Sequence, residues 1–424
     1  MQISLNTIKQ KSVLLVNILF TLFCLTFPIN TGIQIAWFLM WILVPVILPT
    51  HKALCCIAYM SLYMRILLRV KLFSIIIFIS CFIILIKELL LLNKNKLLNK
   101  YFKILIFYSI LIILPLFYSI SINKCINISF IYYLNMINLL FLFYLLKNKL
   151  TNEIIMVYSY GIIVSSLLSI ICFAGNLYYC PFSYEHRFFA FSQLCNTLGV
   201  GCIICIASIY VLLKNNKINK RLSIYLISIL SLIGFLTLSK NFLITFAIVF
   251  LIILINEFKT CKNKKRFLKI IIITSICLSP IILYYCAIMF ERFVTNKDGY
   301  TNIFDIATTG RLDKWLIYLT PWIKHFYSIP FGLGLGFNYN TPYSSHSFYI
   351  GYISKIGIVG FILLSIFIYL IVFHKNKSNL KFKYLPILIM FLICLVEDVS
   401  HNTFNFIPFI ISIITLKYNN QTQQ

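Results

Sequence analysis

Between Glu291 and Gly360 the chain carries TGRLDKW (Thr309–Trp315), PFGLGLGF (Pro330–Phe337) and SHSFYIGYISKIGIVG (Ser345–Gly360). This is the only long polar interruption in a sequence that is otherwise apolar almost from end to end. The 424 residues are 61% hydrophobic and 11% charged, with a mean hydropathy of +0.94. A soluble domain is nearer half apolar and a quarter charged. Apolar runs near the length that crosses a bilayer core recur throughout. The reading is an all-α polytopic integral membrane protein with about 12–14 transmembrane helices, the lower count applying if the weak early and late segments are re-entrant. The quoted stretch becomes one long loop carrying short amphipathic helices. It divides an N-terminal transmembrane bundle with short loops (1–290) from C-terminal transmembrane helices and a short tail (347–424), the loop itself being 291–346.

The net charge of +27 invites a nucleic-acid reading. Its distribution excludes that. The cations sit in short loops between apolar runs: Lys94 to Lys103, Lys147 and Lys149, Lys214 to Arg221, Lys259 to Lys269, and Lys375 to Lys383. This is the positive-inside pattern, and it puts these loops and the N-terminus in the cytoplasm. Glu185, Glu291, Asp298, Asp305, Asp313, Glu397 and Asp398 then fall on the opposite side, with the long loop. Val13–Pro28 lacks a small-residue cleavage site and reads as a retained anchor. No internal repeat is visible, which weighs against transporter folds built from repeats.

The 14 cysteines show no metal-ligand spacing. Cys202 and Cys205 form a CxxC inside an apolar run, where packing is the expected role. Cys125 and Cys180 both fall on the outer side, where a disulfide is possible, although no pattern calls for one. No cofactor motif is present. The glycines at 332, 334 and 336 fit neither a P-loop nor a dinucleotide fingerprint and instead permit tight turns and close packing.

Four polar residues from separate parts of the chain gather at the outer face: Arg187, Lys240, Arg311 and His346. Arg187, in HRFFAFSQ just before a span, is either a snorkelling arginine or an anion ligand. The positive-inside bias makes an outer cation less expected, which favours a role. Lys240, at the tip of a tight hairpin, has the same two readings. Arg311 opens an amphipathic helix through Leu312, Trp315, Leu316 and Leu319, which suits the membrane interface. There it either meets an anion at the helix N-terminus or pairs with Asp313 or Asp305. His346 is either structural or a base, since imidazole accepts a proton near neutral pH. His186, His325 and His401 are further candidates that spacing does not rank. Arginines grip phosphate in a two-pronged fork. With a base beside them, they suit a lipid pyrophosphate donor whose leaving group needs its charge held. No Asp-x-Asp cluster suggests a metal-dependent nucleotide-sugar transferase.

The order GRLDKW, SIPFGLGLGF, SHSFYIGYISKIGIVG, preceded by HRFFAFSQLCNTLGVG and LTLSKNFLITF, resembles the O-antigen polymerase and O-antigen ligase superfamily of bacterial envelopes. The likeness covers roughly the C-terminal 60% of the chain. It implies a metal-independent, inverting glycosyltransferase in the bacterial inner membrane, with residues 291–346 as a periplasmic catalytic loop and the active site facing the periplasm. Arg187, Arg311 and Lys240 would hold the pyrophosphate of an undecaprenyl-pyrophosphate-linked oligosaccharide, and His346 would be the base. Membrane lipids and a chain-length regulator are the implied partners. Two departures stand out: Lys240 occupies a place where arginine is usual, and Lys355 one that is often acidic. The compact loop and the spacing from GLGLG to SHSFY look more like the polymerase. The ligase, which passes glycan to lipid A-core, is the alternative. A flippase or other transporter comes third, because the spans carry almost no charges for a polar pathway.

Overall fold

In a computed structural model, the chain is described over residues 31–63, 70–91, 104–114, 128–146, 153–175, 180–183, 187–192, 194–261, 311–335, 346–372, 380–397 and 403–417, with scattered positions between 263 and 288. The expected first anchor, Val13–Pro28, and most of the expected span 270–290 lie outside the described residues. So do 291–310, His186, His401, Cys125 and Asp305.

The architecture is all-α. The helices are α1 (Thr31–Ile47), α2 (Thr50–Met60), α3 (Val70–Leu91), α4 (Ile104–Leu114), α5 (Ile128–Leu146), α6 (Glu153–Ala174), α7 (Cys195–Lys214), α8 (Lys220–Leu236), α9 (Lys240–Thr260), α10 (Arg311–Lys324), the single turn α11 (Ser328–Phe331), α12 (Phe348–Val372), α13 (Leu385–Val396) and α14 (Thr403–Lys417). The only sheet-like feature among the described residues is an isolated bridge between Phe182 and Phe188. Four described helices, α6, α7, α9 and α12, have the length and hydropathy of membrane spans. Of the expected span Ala53–Leu68, α2 covers the residues to Met60 and passes into a 3₁₀ turn through Tyr63, while 64–68 lie outside the described residues.

The core is built around α7, which packs against α6, α8, α9, α13 and α14. Its Gly199, Gly201, Cys202, Cys205, Ala207 and Ser208 are small. Small residues let helix backbones approach closely where lipid offers no hydrophobic drive. Cys202 and Cys205 are wholly buried, in keeping with a packing role. Cys180 is exposed and forms no disulfide among the described residues; its considered partner, Cys125, lies outside them.

The bundle has two chemically distinct ends. At one, Lys214 pairs with Glu257 at 2.6 Å. There the Asn215 amide donates to the Lys381 carbonyl at 3.1 Å, while the Lys381 amide donates to Asn215 Oδ1 at 2.8 Å. Lys52 pairs with Glu153 at the head of α6, in the stretch just after Lys147 and Lys149. These residues belong to the basic loops or border them. The opposite ends of α7, α8, α9 and α13 meet in the site described next.

α12 is not one continuous helix. Gly357 has φ 68° and ψ 179°, a backbone state open essentially to glycine alone. Such a break frees carbonyls that lipid cannot satisfy. The PFGLG turn satisfies them: Leu333 N–H donates to the Ser354 carbonyl at 2.8 Å and Gly334 N–H to the Lys355 carbonyl at 2.9 Å. Gly332, at φ 85° and ψ 175°, lies against Gly357. A Cβ on Gly332 would stand 2.3 Å from the Lys355 oxygen, and one on Gly357 would stand 2.2 Å from the Pro330 oxygen. The segments 330–334 and 354–357 are therefore the two halves of one backbone lock between loop and span.

Candidate active site

Arg187 is placed by the aromatic residues after it. Phe188 and Phe191 are fully buried, and Phe188 N–H donates to the Leu236 carbonyl at 3.0 Å, tying the segment to the end of α8. The guanidinium then reaches two neighbours. Its Nε donates to the Thr237 carbonyl at 3.3 Å and its Nη2 to Asn196 Oδ1 at 2.7 Å.

Asn196 lies in the first turn of α7 and Asn241 in the first turn of α9. Both amides donate to a single oxygen, Glu397 Oε2, at 3.3 Å from Asn196 and 3.0 Å from Asn241. Glu397 is the C-cap of α13 and only 6% exposed. A buried carboxylate is costly unless hydrogen-bonded and faced by positive charge. Here it has both, because two helix N-termini, each an electropositive end, also point at it.

The hairpin tip is the turn between α8 and α9. Leu238 takes φ 47° in that turn, and the Ser239 hydroxyl caps α9 by accepting from Phe242 N–H at 3.4 Å. Gly199 on α7 leaves room for this turn, since a Cβ there would lie 3.2 Å from Thr237 and 3.3 Å from Ser239. Lys240 is the first residue of α9, half-buried and adjacent to Asn241.

Arg311 begins α10, which packs on α12. The helix separates its residues onto two stripes. Arg311, Trp315, Tyr318 and Trp322 recur at i, i+4, i+7 and i+11, and Tyr318 is fully buried. Leu312, Leu316 and Ile323 form an exposed apolar stripe, the surface an interfacial helix lays on a membrane. Burial pulls the Arg311 guanidinium below its ordinary pKa, and the Glu397 carboxylate pushes it back up. Arg311 and Glu397 are thus within electrostatic reach of each other. The Arg311 Nε is buried with no hydrogen-bond acceptor, and Arg311 forms no ion pair with Asp313 among the described residues.

His346 stands two residues before α12, half-buried, at φ 49°. Non-glycine residues seldom hold positive φ, and such strain concentrates at functional positions. The Tyr349 hydroxyl, one turn on, donates to the Phe391 carbonyl of α13 at 3.3 Å. α12 begins where α13 ends, so His346 and Glu397 share one end of the bundle. His325 stands apart. It is exposed at the far end of α10, about 20 Å along the helix from Arg311, and stacks on Tyr327 at 5.5 Å.

The structure therefore links Arg187 through Asn196 to the Glu397 carboxylate, with Lys240 on the turn beside it, Arg311 under its electrostatic influence and His346 towards the same end. The hydrogen bonds that join α7 and α9 to α13 here run through Glu397, which the sequence reading did not select. Its signal was available: an ionisable residue at the edge of an apolar segment. Among the described residues no group of three His, Cys, Asp or Glu side chains is arranged to hold a metal ion. Compared with family models, curated proteins and solved structures, the chain gives no match.

Proposed function

We propose that this protein is a membrane glycosyltransferase that joins undecaprenyl-pyrophosphate-linked oligosaccharide repeat units at the periplasmic face of the bacterial inner membrane, an O-antigen polymerase. The observation that carries the reading is the hydrogen-bonded network of Arg187, Asn196 and Asn241 on one buried carboxylate, Glu397, at the end opposite the basic loops, with Arg311 under the electrostatic influence of the same carboxylate. Arg187, Arg311 and Lys240 less Glu397 leave two surplus positive charges. A pyrophosphate diester carries two negative ones. The arginines would hold the leaving pyrophosphate as the glycosidic bond to it breaks. His346 would take the proton from the acceptor hydroxyl as its oxygen attacks the anomeric carbon. The motif order resembling the polymerase and ligase superfamily supports the same reading.

The lining of a small apolar cavity suits a short segment of the lipid chain. A cavity of about 130 Å³ lies between α12 and α13, lined by Phe348, Tyr349, Leu364, Ile368 and Phe391 with Phe409 of α14. It begins at the head of α12, two residues from His346. The exposed stripe of α10 would rest on the same membrane surface.

The glycan profile of a deletion strain tests the assignment. Loss of a polymerase leaves lipid A-core capped by a single repeat unit when the host ligase is intact. A bare core with accumulated lipid-linked polymer would mean that the chain is the ligase instead. Repeat units trapped in the cytoplasmic leaflet would mean a flippase.

A further inference from the structure

We propose that Glu397 is the positioning residue of this site: its carboxylate sets the attitude of Arg187 through Asn196 and pins the Lys240 turn through Asn241, so that both cations face one pyrophosphate. The inference rests on the reading above that the donor is a lipid pyrophosphate.

The chemistry of the hydrogen bonds makes the arrangement directional. A carboxylate oxygen only accepts. Asn196 and Asn241 must therefore both turn their NH₂ groups towards Glu397 Oε2. This leaves Asn196 Oδ1 facing the other way, where it accepts from Arg187 Nη2 at 2.7 Å. The Arg187 Nε is fixed independently on the Thr237 carbonyl, so two of its edges are held. Arg311 arrives on a different element, α10, with its Nε buried and lacking an acceptor. Glu397 lies on α13, apart from the elements that carry Arg187 and Lys240, yet its carboxylate joins both through the two asparagines.

The test is a kinetic split. The purified protein in bilayers is given a lipid-pyrophosphate-linked repeat unit, and donor KM and kcat are measured for wild type, Glu397→Gln and Asn196→Ala. Farnesyl pyrophosphate binding is measured in parallel. Removing a negative charge would by itself attract an anionic donor more strongly and lower its KM. Damage to folding would reduce active protein, and hence apparent kcat, at unchanged KM. A positioning role predicts the opposite of both: donor KM rises roughly tenfold in each variant, with no further rise in the double variant, because the two residues act in series. Donor KM that is unchanged or lowered in Glu397→Gln and Asn196→Ala, with wild type active, overturns the role of Glu397 alone. Wild type that neither extends the repeat nor binds farnesyl pyrophosphate overturns the donor assignment on which it rests. Asn196→Ala carries the test by itself if Glu397→Gln does not accumulate.

Discussion

Both ends of this bundle are rich in cations, but they use them differently. At the basic end, Lys214 meets Glu257 on the surface, at 21% and 36% side-chain exposure, and Lys381 contributes only backbone groups to Asn215. At the other end, Arg187 and Arg311 are drawn in towards a carboxylate that is 6% exposed. The first arrangement needs nothing beyond solvated charge in surface loops. The second keeps charges in a poorly solvated place where each must be compensated. The cations of the first end are solvated, whereas those of the second are half-buried, and Arg187 is fixed in direction by two hydrogen bonds.

That contrast is easiest to break at His346. His346→Ala should cut glycan polymerisation by about 10²–10⁴-fold, the usual range for losing a general base. Protein level should hold, because the residue lies outside the packed spans. Unchanged long chains would remove it from the chemistry and turn attention to His186 or His401. Gly357→Ala comes next. It forces a side chain into a glycine-only backbone state and against the Pro330 carbonyl, at a cost of about 3 kcal/mol or more. Thermal unfolding in detergent should show this as a lower midpoint. An unshifted midpoint would mean that the loop does not lock into the broken span. Arg311→Lys keeps the charge but loses the planar fork, at about 1.5–3 kcal/mol, or roughly ten- to a hundredfold in donor use. Near-normal glycan length at matched protein level would reduce Arg311 to an interfacial cation. Lys214→Ala, at the basic end, should change stability by less than about 0.5 kcal/mol and leave polymer length alone. A large loss of activity there would erase the distinction between the ends.

Much of this was legible in the sequence, for definite physical reasons. Length and hydropathy located α5, α6 and the α8–α9 hairpin, because a membrane span must be apolar throughout. The amphipathic α10 was legible from its 3.6-residue period, and the positions of Arg187, Lys240 and Arg311 followed from span boundaries. Hydropathy did not say which spans are central. The spans α7 and α9 have mean hydropathies of 2.1 and 2.2, yet 89% of the first is buried and only 22% of the second. Against lipid and against protein the demand for apolar side chains is the same, and only the small residues of α7 distinguish its place. Glu397 was missed because its partners, Asn196 and Asn241, are 201 and 156 positions away in sequence. A polar residue at a span edge looks like any other interfacial residue until helix packing shows what it faces. The break at Gly357 was hidden for a similar reason: α12 carries glycines at 351, 357 and 360, and nothing in the sequence marks which of them meets the docking loop.

The end bearing Arg187, Arg311, Glu397 and His346 is proposed to extend glycan on a lipid pyrophosphate. The decisive assay supplies the purified protein, in bilayers, with the lipid-pyrophosphate-linked repeat unit as its only glycan. A ladder of longer lipid-linked chains is expected with wild type and none with His346→Ala. Transfer that occurs only when lipid A-core is added, with no ladder in its absence, would contradict that proposal.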